Sequence, residues 1–467
     1  MMLRSTFHLR PLQLFTTLLP LLPAVRPVAA APVLMISIDG LKPEYVTEAD
    51  TRGLRIPYLR TLQRDGVYAD GVTGVWPTVT YPSHTTLLTG VSPSEHGIYN
   101  NLEFDPGRRF SGAWYWYAAQ IRVPTLWRVA RQAGLRTASV GWPVSVGATD
   151  VDWLIPEYWP SGGMPAAVNP SDRELMAALS RPDTLLKQLE IVAGPYMMGN
   201  DTTIAGDETK TRYAMEILRR QKPQFMTIHL SSLDEMEHEH GPFSAEADQD
   251  LETIDGMVAR LASAALANDP ATVVLVVSDH GFITLTHSVN LNIPFVQAGL
   301  IQVTVNAETR APAIESWKAQ PWSAGGMAAI MLNDNGDHQT EKQVGDLLQK
   351  LAADASNGIQ EVLDREAIKK RGGFPDAAFL VLMRPGYYLP NAGTAGNMVN
   401  PIAGTRGSHG FSPEFPEMRA SFFIAGAGIA HHRDLGVIDM RQIAPTVAKI
   451  LNVPMPTAKA QPLQILP

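Results

Sequence analysis

The stretch that decides the fold is Val33-Leu-Met-Ile-Ser-Ile-Asp-Gly40, a short and mostly apolar run that ends in an aspartate and a glycine. Three further runs share this character, at residues 225–234, 272–281 and 421–426. The first of these leads to Asp234 and the second to Asp279 and His280. Apolar runs of this length are typical of strands that are buried on both faces of a parallel sheet.

Helical patterns separate these runs, at residues 56–64, 125–133, 207–220, 244–267 and 441–451, with Asp207 and Ser244 as candidate N-caps. Alternating strands and helices predict an α/β fold with a doubly wound, mostly parallel sheet flanked by helices. Binding sites in such sheets form beyond the carboxyl ends of the strands. Asp39, Asp234, Asp279 and His280 all fall at such ends.

Two stretches fit this alternating pattern poorly. Residues 143–206 are rich in Pro, Gly, Trp and Tyr, and residues 282–404 form a long excursion. We interpret residues 31–281 and 405–467 as the α/β core, with a small insertion at about 143–206, and residues 282–404 as a cap over the site. For the shorter stretch, an ordinary surface excursion explains the composition equally well.

The N-terminus has the composition of an export signal. Arg4 and Arg10 flank an apolar run, and small residues near Ala30 give a cleavage site, so residues 1–30 are expected to be a signal peptide. Several prolines shorten the run below the roughly 20 residues that span a bilayer, which argues against stable membrane insertion. We therefore expect a periplasmic or secreted protein after cleavage.

Composition narrows the possible chemistry. Apolar residues make up 45% of the chain and charged residues 18%, which is typical of a globular protein. The net charge of −8 argues against a nucleic-acid polymer as the partner, since such binders usually carry a basic surface. The chain has no cysteine, so His, Asp and Glu remain as candidate metal ligands.

Several of these residues have the spacing of metal ligands. Asp234 and His238 lie four residues apart, on one face of a helical turn. Asp279 and His280 follow a strand directly, and His409 lies in Gly407-Ser-His-Gly410. Taken singly, each has an ordinary explanation as a surface ion pair, a buried structural residue or a turn.

Thr80 is the candidate nucleophile, within Trp76-Pro-Thr-Val-Thr-Tyr-Pro-Ser-His84. A helix that opens after Pro82 would turn its free amides toward Thr80, and helix N-termini bind phosphate groups well. A threonine hydroxyl is a poor nucleophile unless a metal ion or a base activates it. A row of helix caps is the alternative explanation of this threonine-rich segment.

In this order, the motifs resemble those of the type I phosphodiesterase/nucleotide pyrophosphatase family of the alkaline phosphatase superfamily. The resemblance rests on Ile38-Asp-Gly40, on residues 77–84, on Glu95-His-Gly-Ile98 with Asn100-Asn101, on residues 234–242, on Ser278-Asp-His-Gly281 and on Gly407-Ser-His-Gly410. It implies an alkaline-phosphatase-like fold and hydrolysis of phosphodiester or pyrophosphate bonds in small molecules, including nucleotides.

The resemblance also implies two zinc ions and a covalent mechanism. One ion is expected on Asp234, His238 and His409, and the other on Asp39, Asp279, His280 and the Thr80 oxygen. Manganese is the alternative metal. Thr80 is expected to form a phospho-threonine that water then hydrolyses, with Asn101 donating to a phosphoryl oxygen. Tyr81 replaces the family's usual phenylalanine as an aromatic wall, and His84 and His96 are expected to be structural.

One departure leaves the leaving group open. Nucleotide-cleaving relatives commonly have a base-stacking tyrosine five residues before the first zinc aspartate, where this chain has His229, which we expect to contact the substrate. A phosphomonoesterase is the main alternative, although no Lys or Arg for a phosphoryl dianion can be assigned. A non-catalytic zinc-binding protein is the second alternative. The sequence does not give the oligomeric state.

Overall fold

The computed structural model describes residues 30–106, 113–158, 170–196, 202–305 and 312–466. The signal peptide predicted at residues 1–30 therefore lies outside the described residues, except for Ala30. None of the described helices combines the length and the apolar character that crossing a bilayer requires.

The central sheet is mostly parallel, as the apolar runs predict. Its eight described strands have the spatial order Arg433–Asp434, Val67–Tyr68, Phe422–Ala425, Val273–Val277, Val33–Ile38, Phe225–Leu230, Thr137–Val140 and Trp153–Ile155. Phe422–Ala425 runs antiparallel to both of its neighbours, and the other neighbouring pairs are parallel. The predicted α/β fold with a doubly wound, mostly parallel sheet is confirmed.

The strand Val33–Ile38 anchors the interior because all six of its residues are buried. Successive side chains of a strand point to opposite faces. Accordingly, Leu34 and Ile36 pack in one apolar cluster, whereas Val33 and Met35 pack in another on the opposite face. Burial of each such apolar side chain contributes roughly 1.5–3 kcal/mol, which explains why five of the six residues in the run are apolar.

Helices cover both faces of the sheet. On the first face lie Pro57–Asp65, Ile204–Gln221 and Ala245–Asn268, and on the second lie Thr80–Thr89, Leu126–Gln132 and Ile443–Ile450. Shorter or peripheral helices are Pro43–Thr47, Ala49–Arg52, Pro93–His96, Pro170–Leu179, Leu185–Ala193 and Ser232–His240. All five helical patterns of the sequence therefore correspond to observed helices.

The two predicted N-caps have different outcomes. Ser244 caps Ala245–Asn268, since its side chain accepts the amide of Ala247. The prediction for Asp207 is wrong, because Thr203 caps Ile204–Gln221 and Asp207 lies inside the helix. The buried carboxylate of Asp207 instead accepts the backbone amides of Ser231 and Ser232, directly before the helix that carries Asp234.

Residues 282–404 contain an antiparallel sheet of their own. Its described strands lie in the order Ala319–Ala324, Met327–Leu332, Phe379–Met383 and Ile359–Asp364, beside the helices Asn292–Gln297, His338–Ala353 and Arg365–Arg371. Smaller pairings join Ile301–Val305 to Pro312–Trp317, His287–Val289 to Tyr387–Tyr388 and Val399–Pro401, and Ile283–Thr284 to Gly407–Ser408. The boundaries of the cap stay a prediction.

Part of the predicted insertion at 143–206 belongs to the central sheet. Trp153–Ile155 pairs in parallel with Thr137–Val140 and forms one edge. The run was hard to recognise because only three residues pair, and Pro156 ends it directly. This edge strand leads to Glu157, which reaches the site described next.

Candidate metal centre

The parallel register brings the predicted ligands together at one edge of the sheet. Ser37 is level with His229 on one neighbouring strand and with Val277 on the other. The residues that follow these strands therefore emerge side by side. Asp39 comes from the first strand, Asp279 and His280 from the second, and Asp234 from the helix that begins at Ser232.

Asp39, Asp279 and His280 form the first candidate ligand group. One ligand atom from each lies within 4.8 Å of the others, and all three residues are buried. The Nε2 atom of His280 is 3.4 Å from Asp39 Oδ1 and 3.0 Å from Asp279 Oδ2. Gly40 makes this turn possible: it has a φ of 73°, and a Cβ there would meet the Oε2 atom of Glu237 at 2.7 Å.

Asp234, His238 and His409 lie beside this group. The Nε2 atom of His238 is 3.4 Å from Asp234 Oδ2, and that of His409 is 3.8 Å from Asp234 Oδ1. The tight grouping found around Asp234 contains His280 and His409, and does not contain His238. His238 and His409 therefore both approach Asp234. His280 belongs to both of the tight groups, the one around Asp234 and the one with Asp39 and Asp279.

Backbone carbonyls orient two of these imidazole rings. The Nδ1 atom of His238 donates to the carbonyl of Gly407 over 3.0 Å, and that of His409 donates to the carbonyl of Thr78 over 3.3 Å. A carbonyl can only accept, so in both rings the proton lies on Nδ1. In this tautomer the lone pair of Nε2 faces Asp234 and is free to bind a metal ion.

The donor set fits a pair of zinc-type ions. Two ligand atoms of a tetrahedral zinc ion with bonds of ~2.0–2.1 Å are roughly 3.3 Å apart. Four buried atoms of the cluster have no hydrogen-bond partner among the described residues: Asp39 Oδ1, Asp234 Oδ1, Asp279 Oδ2 and His280 Nδ1. Three of these are carboxylate oxygens at the cluster, and a divalent cation would satisfy them.

The carboxylates of the cluster perturb one another strongly. Burial raises the pKa of Asp39 well above its ordinary value, and the charges of Asp279 and Asp234 raise it further. Burial also opposes ionisation of Asp279, but the charge of the neighbouring His280 keeps the pKa of Asp279 below its ordinary value. Although burial acts against it, Asp279 helps to raise the pKa of His280 to about 9.

Thr80 opens the helix Thr80–Thr89 beside the first ligand group. The helix begins three residues earlier than predicted, because Pro82 is tolerated in a first turn, where backbone amides have no helical partner. The Oγ1 atom of Thr80 is 3.5 Å from His280 Nε2, and the residue is 9% exposed. The hydroxyl thus lies at the rim of the cluster, within reach of a bound molecule.

Tyr81 and Asn101 are held next to Thr80. The amide of Tyr81 donates to Asn101 Oδ1 over 2.9 Å, which fixes the orientation of the Asn101 side chain. The Nδ2 group of Asn101 is thereby left as the donor end of the amide. The Tyr81 ring is buried and lies 5.2 Å from the ring of Trp114, which is the more exposed of the two aromatic side chains at the pocket.

His229 lies in the wall of the site, and its ring is 3% exposed. Its Nε2 atom is 2.9 Å from Asp39 Oδ2, and its Nδ1 atom is 3.0 Å from Glu157 Oε2. Although burial acts against it, these two hydrogen bonds raise the pKa of His229 to about 10. Both ring nitrogens of His229 are therefore engaged by carboxylates.

Sequence reasoning missed several residues that line the same pocket, which has a volume of about 200 Å³: Trp114, Glu157, Thr202, Ser231 and Glu235. Glu157 could have been found, because it follows the carboxyl end of the strand Trp153–Ile155, as the aspartates follow the carboxyl ends of their strands. No comparable pattern marks Trp114 or Thr202, which come from loops.

His84 and His96 make the structural hydrogen bonds that were predicted for them. The Nδ1 atom of His84 donates to the carbonyl of Thr80 over 2.8 Å, and its Nε2 is 2.9 Å from Ser37 Oγ. The Nε2 atom of His96 is 3.1 Å from Thr86 Oγ1. Burial lowers the pKa of both histidines to about 3, so both rings are neutral.

A sheet of this order with Asp and His clusters at its carboxyl edge defines the class of alkaline-phosphatase-like α/β proteins. The chain belongs to the type I phosphodiesterase/nucleotide pyrophosphatase family, whose family model matches residues 33–412. This range includes the six predicted metal ligands, Thr80 and Asn101.

Individual relatives are distant. Human ectonucleotide pyrophosphatase/phosphodiesterase family member 1 is 24% identical over 262 residues, which are 54% of this chain and 23% of that protein. The match therefore spans less than a quarter of the relative's length. Among solved structures, human ectonucleotide pyrophosphatase/phosphodiesterase 5 has a TM-score of 0.60 at 18% identity, over 91% of this chain and 95% of that one.

A structure of the murine form of that protein has a TM-score of 0.61 at 17% identity, over 91% of this chain and 96% of that one. It is described as an inactive variant in complex with AMP. These likenesses show the fold of the present chain.

If the cluster binds metal, Zn²⁺ should raise the thermal unfolding midpoint of the metal-free protein. A ligand that binds only the folded state stabilises it by about 2.7 kcal/mol at 100 times its dissociation constant. Differential scanning fluorimetry with increasing Zn²⁺ measures this effect. Asp279→Asn removes one charged ligand and should reduce the shift, whereas an equal shift in both proteins would contradict the assignment of Asp279.

Proposed function

We propose that this chain hydrolyses phosphodiester or pyrophosphate bonds through a covalent phospho-threonine at Thr80. The observation that carries the proposal is the position of the Thr80 hydroxyl, 3.5 Å from His280 Nε2 at the rim of the ligand cluster. A threonine at this place has both a donor-rich helix start and a charged cluster beside it.

Two zinc ions, on Asp234, His238 and His409 and on Asp39, Asp279 and His280, would when bound act as Lewis acids for the attacking and leaving oxygens. Thr80 supplies the nucleophilic oxygen and later carries the phosphoryl group. Asn101 donates from Nδ2 to a non-bridging phosphoryl oxygen, as in an oxyanion hole. The buried Tyr81 ring packs against Trp114, and Trp114 provides the aromatic wall for the leaving group.

Known relatives support this assignment without defining the substrate. The human relative is named a nucleotide pyrophosphatase and phosphodiesterase, and the murine structure holds AMP in an inactive threonine-to-alanine variant. By analogy, we propose a small phosphodiester or nucleotide as the substrate of this chain. The name of the human relative also marks it as an ectoenzyme, which is consistent with the export predicted from residues 1–30.

The charge of the pocket favours a diester over a monoester. A monoester carries a second negative charge on its phosphoryl group, which phosphomonoesterases typically meet with Lys or Arg. Among the described residues that line the pocket, none is Lys or Arg, whereas Glu157 and Glu235 are present. Lys210 lies nearby, but it pairs with Asp207 at 2.8 Å and donates to Ser231.

Replacing the nucleophile tests the covalent step. Thr80→Ala should lower kcat by at least about 1000-fold because it removes the attacking oxygen, while zinc content stays unchanged. Steady-state kinetics and metal analysis of the same sample provide the two readouts. Thr89→Ala is a matched control on the same helix, since the Thr89 hydroxyl bonds only the backbone of Thr85 among the described residues. Activity of Thr80→Ala close to that of the control would refute the role of Thr80.

Substrate preference tests the diesterase assignment. We expect kcat/KM to be higher for a bis-aryl phosphate and for an aryl ester of a nucleotide than for an aryl phosphate monoester, because no lining cation offsets the extra charge. The three values should be measured at one pH with the same aryl leaving group. A preference for the monoester would instead support a phosphomonoesterase.

A further inference from the structure

We propose that Glu157 and His229 act together as a positioning pair, which orients Asp39 on one side and Tyr81 on the other; this inference rests on the function proposed above. The pair does not contact the reacting atoms itself. It acts through the residues that it holds, and it gives His229 a different task from base stacking.

The pair is continuous with the cluster through short hydrogen bonds. His229 Nε2 is 2.9 Å from Asp39 Oδ2, and His229 Nδ1 is 3.0 Å from Glu157 Oε2. The side chains of Asp39, His229 and Glu157 are 5%, 3% and 6% exposed. Hydrogen bonds between charged groups at this degree of burial are stronger than those on a surface, since water does not compete for them.

His229 determines which oxygen of Asp39 faces the cluster. Oδ2 is occupied by the imidazole, whereas Oδ1 is buried, has no hydrogen-bond partner among the described residues and lies 3.4 Å from His280 Nε2. Rotation of the Asp39 carboxylate would break the bond to His229. The imidazole thus keeps Oδ1 available as a ligand atom.

Glu157 connects this arrangement to the aromatic wall. Its Oε2 atom binds His229, while its Oε1 atom accepts the Tyr81 hydroxyl over 2.6 Å. The backbone amide of Tyr81 in turn donates to Asn101 Oδ1 over 2.9 Å. Tyr81 and Asn101, which line the pocket together with Thr80, therefore belong to one hydrogen-bond network. The backbone amide of Glu157 donates to Ser145 Oγ over 3.2 Å, which holds Glu157 itself in place.

The His229 ring offers little surface for stacking on a nucleobase, because its side chain is only 3% exposed. It makes a T-shaped contact with the His84 ring at a centroid distance of 4.5 Å, and its two nitrogens are held by carboxylates. A tyrosine at this position has no nitrogen with which to bridge Asp39 and Glu157. We therefore infer that His229 and Glu157 depend on each other and that their shared role is to hold Asp39.

The test uses the zinc-loaded enzyme and its Glu157→Gln variant. Gln is the same size as Glu, but it is uncharged, and only its Oε1 atom can accept a hydrogen bond, because the other terminal atom is an NH2 donor. Residues that orient metal ligands typically change metal affinity by about 10- to 100-fold when they are replaced. We expect a loss of this size for one of the two zinc equivalents, measured by competition with a chelator, and a lower kcat with little change in KM.

Glu235→Gln is the matched control for charge. Glu235 lines the same pocket next to Asp234, and no hydrogen bond among the described residues joins it to His229 or Asp39. Its replacement removes a charge near the ligands without breaking the His229 connection, so the loss of zinc affinity should stay below the ~10-fold lower bound expected for Glu157→Gln. Equal losses in Glu157→Gln and Glu235→Gln would assign the effect to pocket charge and overturn the proposal, as would wild-type zinc affinity in Glu157→Gln.

Glu157→Asp provides the second variant and guards against a folding defect. It keeps the charge, but its side chain is one methylene shorter and cannot reach His229 and Tyr81 together. We expect its zinc affinity to lie between those of wild type and Glu157→Gln, at an unchanged circular dichroism spectrum. Wild-type affinity in Glu157→Asp would contradict a role in positioning.

A double variant tests whether the two residues act as one unit. Losses in Glu157→Gln and His229→Gln should not add when the two changes are combined, because each change already breaks the same connection. Full additivity would contradict the pair. The zinc titration needs no substrate, so a protein that binds zinc but cleaves no phosphoester would refute the proposed function and leave this test intact.

Discussion

The structure depends on one electrostatic constraint: the carboxylates of Asp39, Asp234 and Asp279 are neighbours around His280 at the carboxyl end of the sheet, where Asp39 and Asp279 are buried. Negative charges this close repel one another, and each buried carboxylate has lost the water molecules that would stabilise its charge. The result is visible in the raised pKa of Asp39 and in carboxylate oxygens without a described hydrogen-bond partner. Bound divalent cations would resolve this conflict, and in the proposed function the same cations would serve catalysis.

Groups that do not themselves face the candidate metal positions orient several of the candidate ligands. Backbone carbonyls of Gly407 and Thr78 set the tautomers of His238 and His409. His229 occupies one oxygen of Asp39 and leaves the other for the cluster. Because Asp39, His238 and His409 are oriented by these hydrogen bonds without a metal ion, little reorganisation of these three ligands remains for the bound state. The fold therefore supplies orientation as well as donor atoms.

Much of this arrangement could be predicted from the sequence, and the limits have physical causes. Long apolar strands such as Val33–Ile38 are visible because both of their faces are buried. The polar residues at their ends must then share one edge of the sheet, as Asp39 and Asp279 do. The resemblance to a known family added Asn101 and favoured His409 as a ligand over its ordinary explanation as a turn residue.

Other features could not be predicted, because their roles arise from tertiary contacts. The three-residue strand Trp153–Ile155 is too short to show a pattern, so Glu157 was missed together with it. Asp207 has the composition of a helix cap, yet it holds the backbone of Ser231 and Ser232, which no local pattern reveals. The bonds of His229 to two carboxylates likewise appear only when distant segments of the chain are assembled into one sheet.

Anomalous X-ray diffraction at the zinc absorption edge tests the central claim most directly, in crystals of the zinc-loaded protein. We predict two peaks, roughly 4 Å apart, one next to Asp39, Asp279 and His280 and the other next to Asp234, His238 and His409. A single peak, or peaks away from these residues, would contradict the two-metal account of this site.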